Sequence, residues 1–262
     1  MTLVDAIVTA GGIPKPDEPL YPYTQGKPKA LVDLAGKPMI QWILDALGEA
    51  QTIRRVVVVG LTDAGTALTC RKTLGYLPSQ GSLVDNITAG ARWVLGQDAS
   101  ATHALVVSSD VPTITPDVVN WHVETPLQTD HEVYYSVIPQ DRMERRFPGS
   151  KRSYFHFTDG TFTAGDMNMV ATRVVTHVPP QIQALVEARK NIFKQAAIIG
   201  FDTLLLLALR QLSLAQTEQM VSRRLGLKGH VLVCPHAEAG MDVDKPAQYE
   251  LVRRDLEARQ TL

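Results

Sequence analysis

The sequence predicts an α/β fold, a mostly parallel sheet flanked by helices, and three observations carry that prediction. Four short runs, "LVDAIVT" (3–9), "RRVVVVG" (54–60), "HALVVSS" (103–109) and "EVYYSVI" (132–138), are rich in Val, Ile and Leu. Strands of that composition are buried on both faces, as in a parallel sheet covered by helices. Between them lie segments of helical period: Met39, Ile40, Ile43, Leu44 and Leu47 share one face, as do Leu83, Ile87, Ala91 and Leu95 after Ser82. Runs and periodic segments alternate along the chain, and crossovers joining parallel strands are right-handed.

The remaining elements follow in chain order. Behind the first strand comes "TAGGIPKPDEPLYPYTQGKPKAL" (9–31), longer than a connector between packed elements needs. Two segments flanking Asp159-Gly160 in "SYFHFTDGTFTAGDMNMVAT" form a hairpin signal, so an antiparallel element joins the sheet there. From Pro179 to Gly229 the pattern is helical, ending at Gly226 or Gly229 as a C-cap. The chain then returns to a strand, "HVLVC", and after "GMDVDKP" a last helix carries Tyr249, Leu251, Val252 and Leu256. The expectation is one domain over residues 1–262, with 179–229 as a helical subdomain inside it.

Composition narrows the function. The chain has 45% hydrophobic and 20% charged residues and a formal net charge of −1, so no global basic field recruits nucleic acid or an anionic membrane, and any anion site is local. The longest apolar stretch, "LLLLAL" (204–209), is too short to span a bilayer. Cys70 and Cys234 have neither CxxC spacing nor a disulfide framework, and the opening residues lack a charged n-region; both suit a cytoplasmic protein. The seven histidines have no metal-ligand spacing, and Trp42, Trp93 and Trp121 sit in helical segments as packing residues.

Three constellations carry chemistry. Ala10, Gly11 and Gly12, with Lys15 and Lys29 behind them, suit phosphate binding: glycine lets backbone N–H groups approach an anion, and lysine supplies a compact charge. The spacing is neither GxGxxG nor a P-loop, and a plain glycine turn with solvated lysines has the same pattern. Asp110 in "SSDVPTI" stands at the carboxyl end of an apolar strand, the edge where ligands bind in open α/β sheets. There it suits a Mg²⁺ ligand, or a cap for the helix after Pro116. Asp242 and Asp244 in "GMDVDKPAQYEL" lie on one side of an extended segment; either can complete a metal site, or cap the last helix. Arg142, Arg145, Arg146, Lys151 and Arg152 form a basic run suited to an anionic acceptor or to solvent. Arg189, Lys190 and Lys194 form a second cluster on a helical face.

"IVTAGG", "KPKALVDLAGKPMIQWILDAL", "VVSSDVPTI" and "MDVDKPAQYEL", in that order, resemble the MobA-like nucleoside-triphosphate transferase superfamily. The resemblance implies a Rossmann-like GT-A fold, with the glycine loop on the nucleotide and Lys29 on its phosphates. It implies Asp110 and Asp244 as the Mg²⁺ ligands, Gly81 and Ser82 of "SQGSLVDNI" near the base, and Asn168 of "GDMNMVA" at the acceptor. Arg152, from the basic run, joins Asn168 on the acceptor side. The family's loop carries an arginine soon after its glycines; here Lys15 is the early cation, and the inserted prolines stiffen a lid ending at Lys29. The implied reaction transfers a nucleoside monophosphate from a nucleoside triphosphate to an anionic small-molecule acceptor, a cofactor or sugar phosphate, releasing pyrophosphate. The competing expectations are a GT-A glycosyltransferase spending a nucleotide sugar and a non-catalytic nucleotide-binding module.

Overall fold

The first strand, β1 (Val4–Thr9), assigns the two faces of the sheet by its alternation: Ala6 and Val8 enter one core and Ile7 the other, all fully buried. The computed structural model describes residues 2–62, 67–188, 198, 206 and 209–261. After the glycine loop comes a single helical turn, α1 (Tyr21–Thr24), and then a 3₁₀ turn over Lys29–Leu31. A two-stranded hairpin, β2 (Asp33–Leu34) and β3 (Lys37–Pro38), turns through Ala35 and Gly36. Both turn residues have positive φ (55° and 87°), as this tight hairpin geometry requires.

Helix α2 (Met39–Glu49) buries the predicted face of Met39, Ile40, Ile43, Leu44 and Leu47, each burial stabilising by roughly 1.5–3 kcal/mol relative to exposure. It leads to β4 (Ile53–Val59), then β5 (Thr73–Leu77), α3 (Leu83–Gln97) and β6 (His103–Ser108). Strands β5, β4, β1 and β6 are parallel neighbours in that order. The short β5, "TLGYL", is an edge strand with no fully buried residue, and its mixed composition left no strand signal in the sequence. In α3 the stripe is rotated from the predicted one: Val84, Ala91 and Val94 are buried, whereas Leu83 lies exposed in the first turn.

Helix α4 (Pro116–Glu124) precedes β7 (Val133–Pro139) and α5 (Gln140–Arg146). The Asp159-Gly160 signal is realised as β8 (Phe155–Phe157) paired antiparallel to β9 (Gly160–Ala164). Next, β10 (Met167–Ala171) inserts antiparallel between β6 and β7. It is followed by α6 (Thr172–Thr176), α7 (Pro180–Glu187) and α8 (Leu214–Leu225). Helix α8 starts with a Ser213/Gln216 capping box and ends at left-handed Gly226, one of the two expected caps. The 189–194 basic cluster and most of "LLLLAL" lie outside the described residues. Strand β11 (Gly229–Val233) runs parallel to β7 along its other edge, and α9 (Pro246–Gln260) packs Val252 and Leu256 into the core. The main sheet thus has nine strands among the described residues, mostly parallel and flanked by helices. No described helix is long and apolar enough to cross a membrane.

Candidate active site

The glycine loop leaves β1 at its carboxyl end. Ala10 is buried and its N–H donates to Val59 O (2.7 Å), so that amide is spent in the sheet. Gly11 is pressed against the end of β4: Gly60 has φ +111°, and a Cβ there would collide with Gly11 N. A Cβ on Gly11 would stand 3.0 Å from Ser79 Oγ and 3.3 Å from Asn86 Nδ2. Over Gly12, by contrast, nothing lies within 4 Å of where a Cβ would be. Backbone can therefore be approached closely at Gly12, as a phosphate cradle needs. The "SQGS" segment forms the wall beside Gly11: Asn86 Oδ1 accepts from Gln80 N–H (2.7 Å), and Ser82 caps α3 by accepting from Asp85 N–H (3.1 Å). Gly81 there is left-handed (φ +94°) and open.

The loop from Gly12 to Lys29 is anchored rather than open. Leu20 and Thr24 are buried, and Tyr23 packs on Tyr249 of α9 with ring centroids 4.4 Å apart. Its far end returns to its start: Lys29 N–H donates to Gly12 O (2.9 Å). Lys15 is exposed, with its backbone N–H on Glu18.

That closure sets Lys29 opposite both predicted acids. Lys29 Nζ lies 2.6 Å from Asp110 Oδ2 and also pairs with Asp244 Oδ1, with its own side chain 14% exposed. Burial alone would lower the lysine pKa, but the two carboxylates outweigh it and the net shift is upward. Asp244 is likewise held below the usual carboxylate range: desolvation opposes this, and the Lys29 pair prevails. Neither acid caps a helix: Thr115 caps α4, and Lys245 precedes α9 without a side-chain cap. Asp110 Oδ1 is buried without a hydrogen-bond partner, a carboxylate oxygen left for another cation. Two convergent carboxylates, one with a spare oxygen, fit Mg²⁺, which takes one or two carboxylates and fills its shell with phosphate oxygens and water. Among the described residues no group of three or more His, Cys, Asp or Glu is placed to hold a metal by protein ligands alone.

In the segment carrying Asp244, alternation sends Met241 and Val243 into the core and Asp242 to the side of Asp244. Asp242 pairs with Arg152 Nη1, while Arg152 Nη2 donates to Ala164 O (3.2 Å) and lies 3.8 Å from Asp166 Oδ2. The sequence placed Arg152 on the acceptor; here its Nη1 and Nη2 meet these internal partners, as a carboxylate with little exposure needs a counter-charge, while its Nε is buried without a hydrogen-bond partner. Two more members of the basic run are also paired: Arg146 with Glu238 and Asp255, and Arg145 with Asp141. Burial pushes Asp242 up to about 6, Arg152 notwithstanding. Burial, with the charges of Asp110 and Asp242, raises Asp166 well above the carboxylate range. Asp166 carries no sequence signal of its own, since its place depends on β10 lying beside β6.

Asn168 sits on β10 opposite Val106, and its Oδ1 accepts from Ser136 N–H (3.0 Å). It lines a cavity of about 640 Å³ whose walls are mostly apolar, including Val106, Val137, Phe162 and Val170. The polar residues beside Asn168 in that lining include Tyr135, Thr217, Glu218 and His230.

The family model of the MobA-like NTP transferase domain matches residues 7–231. The chain belongs to that family. A hypothetical transferase from Thermus thermophilus is 29% identical, with a TM-score of 0.81 over 95% of this chain and 100% of the other. A CMP:2-keto-3-deoxy-manno-octonic acid synthetase complexed with CTP is 14% identical with a TM-score of 0.58, each chain covered 100%. The 2-C-methyl-D-erythritol 4-phosphate cytidylyltransferase of Thermus thermophilus gives 15% and 0.54, again over 100% of both chains. These last two speak for the fold. No curated protein gives a significant match. Asp244, Gln248 and Tyr249 lie beyond the residues matched by the NTP transferase model, yet Asp244 pairs with Lys29, Gln248 Oε1 accepts from Asp244 N–H, and Tyr249 packs on Tyr23.

Proposed function

We propose that this NTP transferase family member is a Mg²⁺-dependent, cytoplasmic nucleotidyltransferase. It moves a nucleoside monophosphate from a nucleoside triphosphate to an anionic acceptor, a phosphorylated cofactor or sugar phosphate. An acceptor oxygen attacks the α-phosphorus, the bond to the bridging oxygen of the β-phosphate breaks, and pyrophosphate leaves. The observation that supports this most directly is the convergence of Lys29, Asp110 and Asp244 beside open Gly12 at the carboxyl edge of the sheet.

In this reading Gly11 and Gly12 lie along the phosphates, Lys15 reaches them from the loop, and Gly81 and Ser82 flank the base. Asp110 and Asp244 would hold Mg²⁺, which would supply positive charge to screen the phosphates. Lys29 stabilises charge developing on the phosphates; an ammonium about 4 Å from a phosphate oxygen interacts by about 4 kcal/mol at an effective dielectric near 20. No protein nucleophile is called for. Asn168 orients the acceptor, and Arg152 acts through Asp242, holding the Asp244 segment in place. The whole chain, residues 1–262, works as one domain.

Incubating the protein with each nucleoside triphosphate, Mg²⁺ and candidate phosphorylated acceptors tests the proposal. Pyrophosphate release that requires an acceptor supports it. Turnover of a nucleotide sugar to a nucleoside diphosphate, or nucleotide binding with no turnover against any acceptor, refutes it.

A further inference from the structure

The two carboxylates that fit a divalent ion already hold a cation. Lys29 Nζ touches Asp110 Oδ2 and Asp244 Oδ1 together, so the carboxylates that would hold a divalent ion are already bridged by one positive charge. A metal drawing on Asp110 Oδ1 and the Asp244 carboxylate would lie close to this ammonium, and on the Asp110 side, where the Lys29 and Asp110 side chains are 14% and 17% exposed, solvent does little to screen their repulsion, whereas Asp244 is 57% exposed. We infer that Lys29 is an internal stand-in for the metal. It holds the Asp110 and Asp244 segments together in the nucleotide-free protein and keeps a free divalent ion out, so that the ion enters only with a triphosphate, whose oxygens then receive the released ammonium. This rests on the reading of Asp110 and Asp244 as the metal ligands.

Local structure makes the exchange a matter of side-chain torsions. The Lys29 backbone is fixed by its N–H bond to Gly12 O and by the 3₁₀ turn in which Ala30 is fully buried. A flexible four-carbon stem on a fixed backbone can swing its head group without moving the loop. Its backbone neighbour across that bond is Gly12, where open space lies over the chain. An anion resting there would take the ammonium that the carboxylates give up. Metal and nucleotide binding are then coupled through one side chain, and each strengthens the other by the same factor.

Mn²⁺ titrations of nucleotide-free protein, followed by electron paramagnetic resonance, test this in wild type, Lys29→Met and Lys29→Met with Asp110→Asn. Lys29→Met is expected to bind Mn²⁺ at least tenfold tighter than wild type, and Asp110→Asn to abolish that gain. With a non-hydrolysable triphosphate present, Lys29→Met should lose its advantage. A Lys29→Met protein whose Mn²⁺ binding needs Asp110 but is no tighter than wild type overturns the exchange alone. Mn²⁺ binding indifferent to Asp110→Asn overturns the metal site itself, and the exchange with it. A second measurement needs no variant: in wild-type protein labelled with ¹⁵N-lysine, the Lys29 ammonium signal should persist on adding Mg²⁺ and shift only when the triphosphate analogue follows. A shift on Mg²⁺ alone refutes the inference.

Discussion

Val243 N–H donates to the carbonyl of Asp110 at 2.9 Å, joining the loop after β6 to the segment before α9. This bond brings together two carboxylates that are far apart in sequence, and Lys29 bridges them from a third segment. Lys29→Ala is therefore expected to lower turnover by roughly tenfold to a thousandfold, and Asp110→Ala by at least as much. Steady-state pyrophosphate release measures both, and an unchanged rate in either variant would remove that residue from the site.

Gly60, packed against Gly11 from the end of β4, and Gly12 should respond differently to a methyl group. Gly60→Ala forces a side chain at φ +111° into Gly11, so a loss of about 1–3 kcal/mol and weaker nucleotide binding are expected. Gly12→Ala meets open space; its stability should stay within about 0.5 kcal/mol of wild type while nucleotide affinity falls. Urea unfolding and titration with a triphosphate analogue separate the two effects.

His122 sets an acid limit on stability. Its ring is fully buried with Nδ1–H on Val118 O (2.8 Å), and burial lowers its pKa from 6.5 to about 4. Between those values the unfolded chain binds a proton that the native state refuses, so stability is complete above pH 6.5 and falls as the pH drops toward 4. The loss amounts to about 3 kcal/mol, at about 1.4 kcal/mol per pKa unit. His122→Phe should flatten this limb in unfolding curves recorded across the window; an unchanged slope would assign it to other groups.

At the opposite end of β1 from the glycines, buried Asp5 carries two guanidinium groups. Arg55 binds it through both Nε (3.0 Å) and Nη2 (2.8 Å), and Arg54 adds two bonds at 3.2 Å. Removing the carboxylate leaves Arg55 without these bonds and Arg54 with Asp98 as its remaining partner (2.7 Å). Because Arg54 is partly exposed, Asp5→Ala should cost about 2–4 kcal/mol, somewhat less than a fully buried pair would. Chemical denaturation reads the loss, and kcat of the folded protein should be unaffected.

Much of this was legible in the sequence because it is local. Runs such as "VVVV" and the period of Met39 to Leu47 report burial wherever they occur, and the order of the motifs pointed to Lys29, Asp110 and Asp244 before any coordinates did. What escaped depends on non-local neighbours. Gly60 matters because it touches Gly11, Asp166 because β10 lies beside β6, and the partner of Arg152, Asp242, stands 90 residues away. The α3 face turned because Ala91 and Val94 are the positions packed with Ile7 and Val57 on the sheet, which leaves Leu83 exposed in the first turn. Spacing displays none of these partners.

The stacking of Tyr23 on Tyr249 makes the last helix a foundation for the first loop. A gene shortened to the span recognised by homology, ending at residue 231, would still encode the sheet as far as the middle of β11. Its product would nevertheless be without the Asp244 carboxylate, and the segment from Gly12 to Lys29 would have lost the aromatic prop that keeps it against the body of the protein.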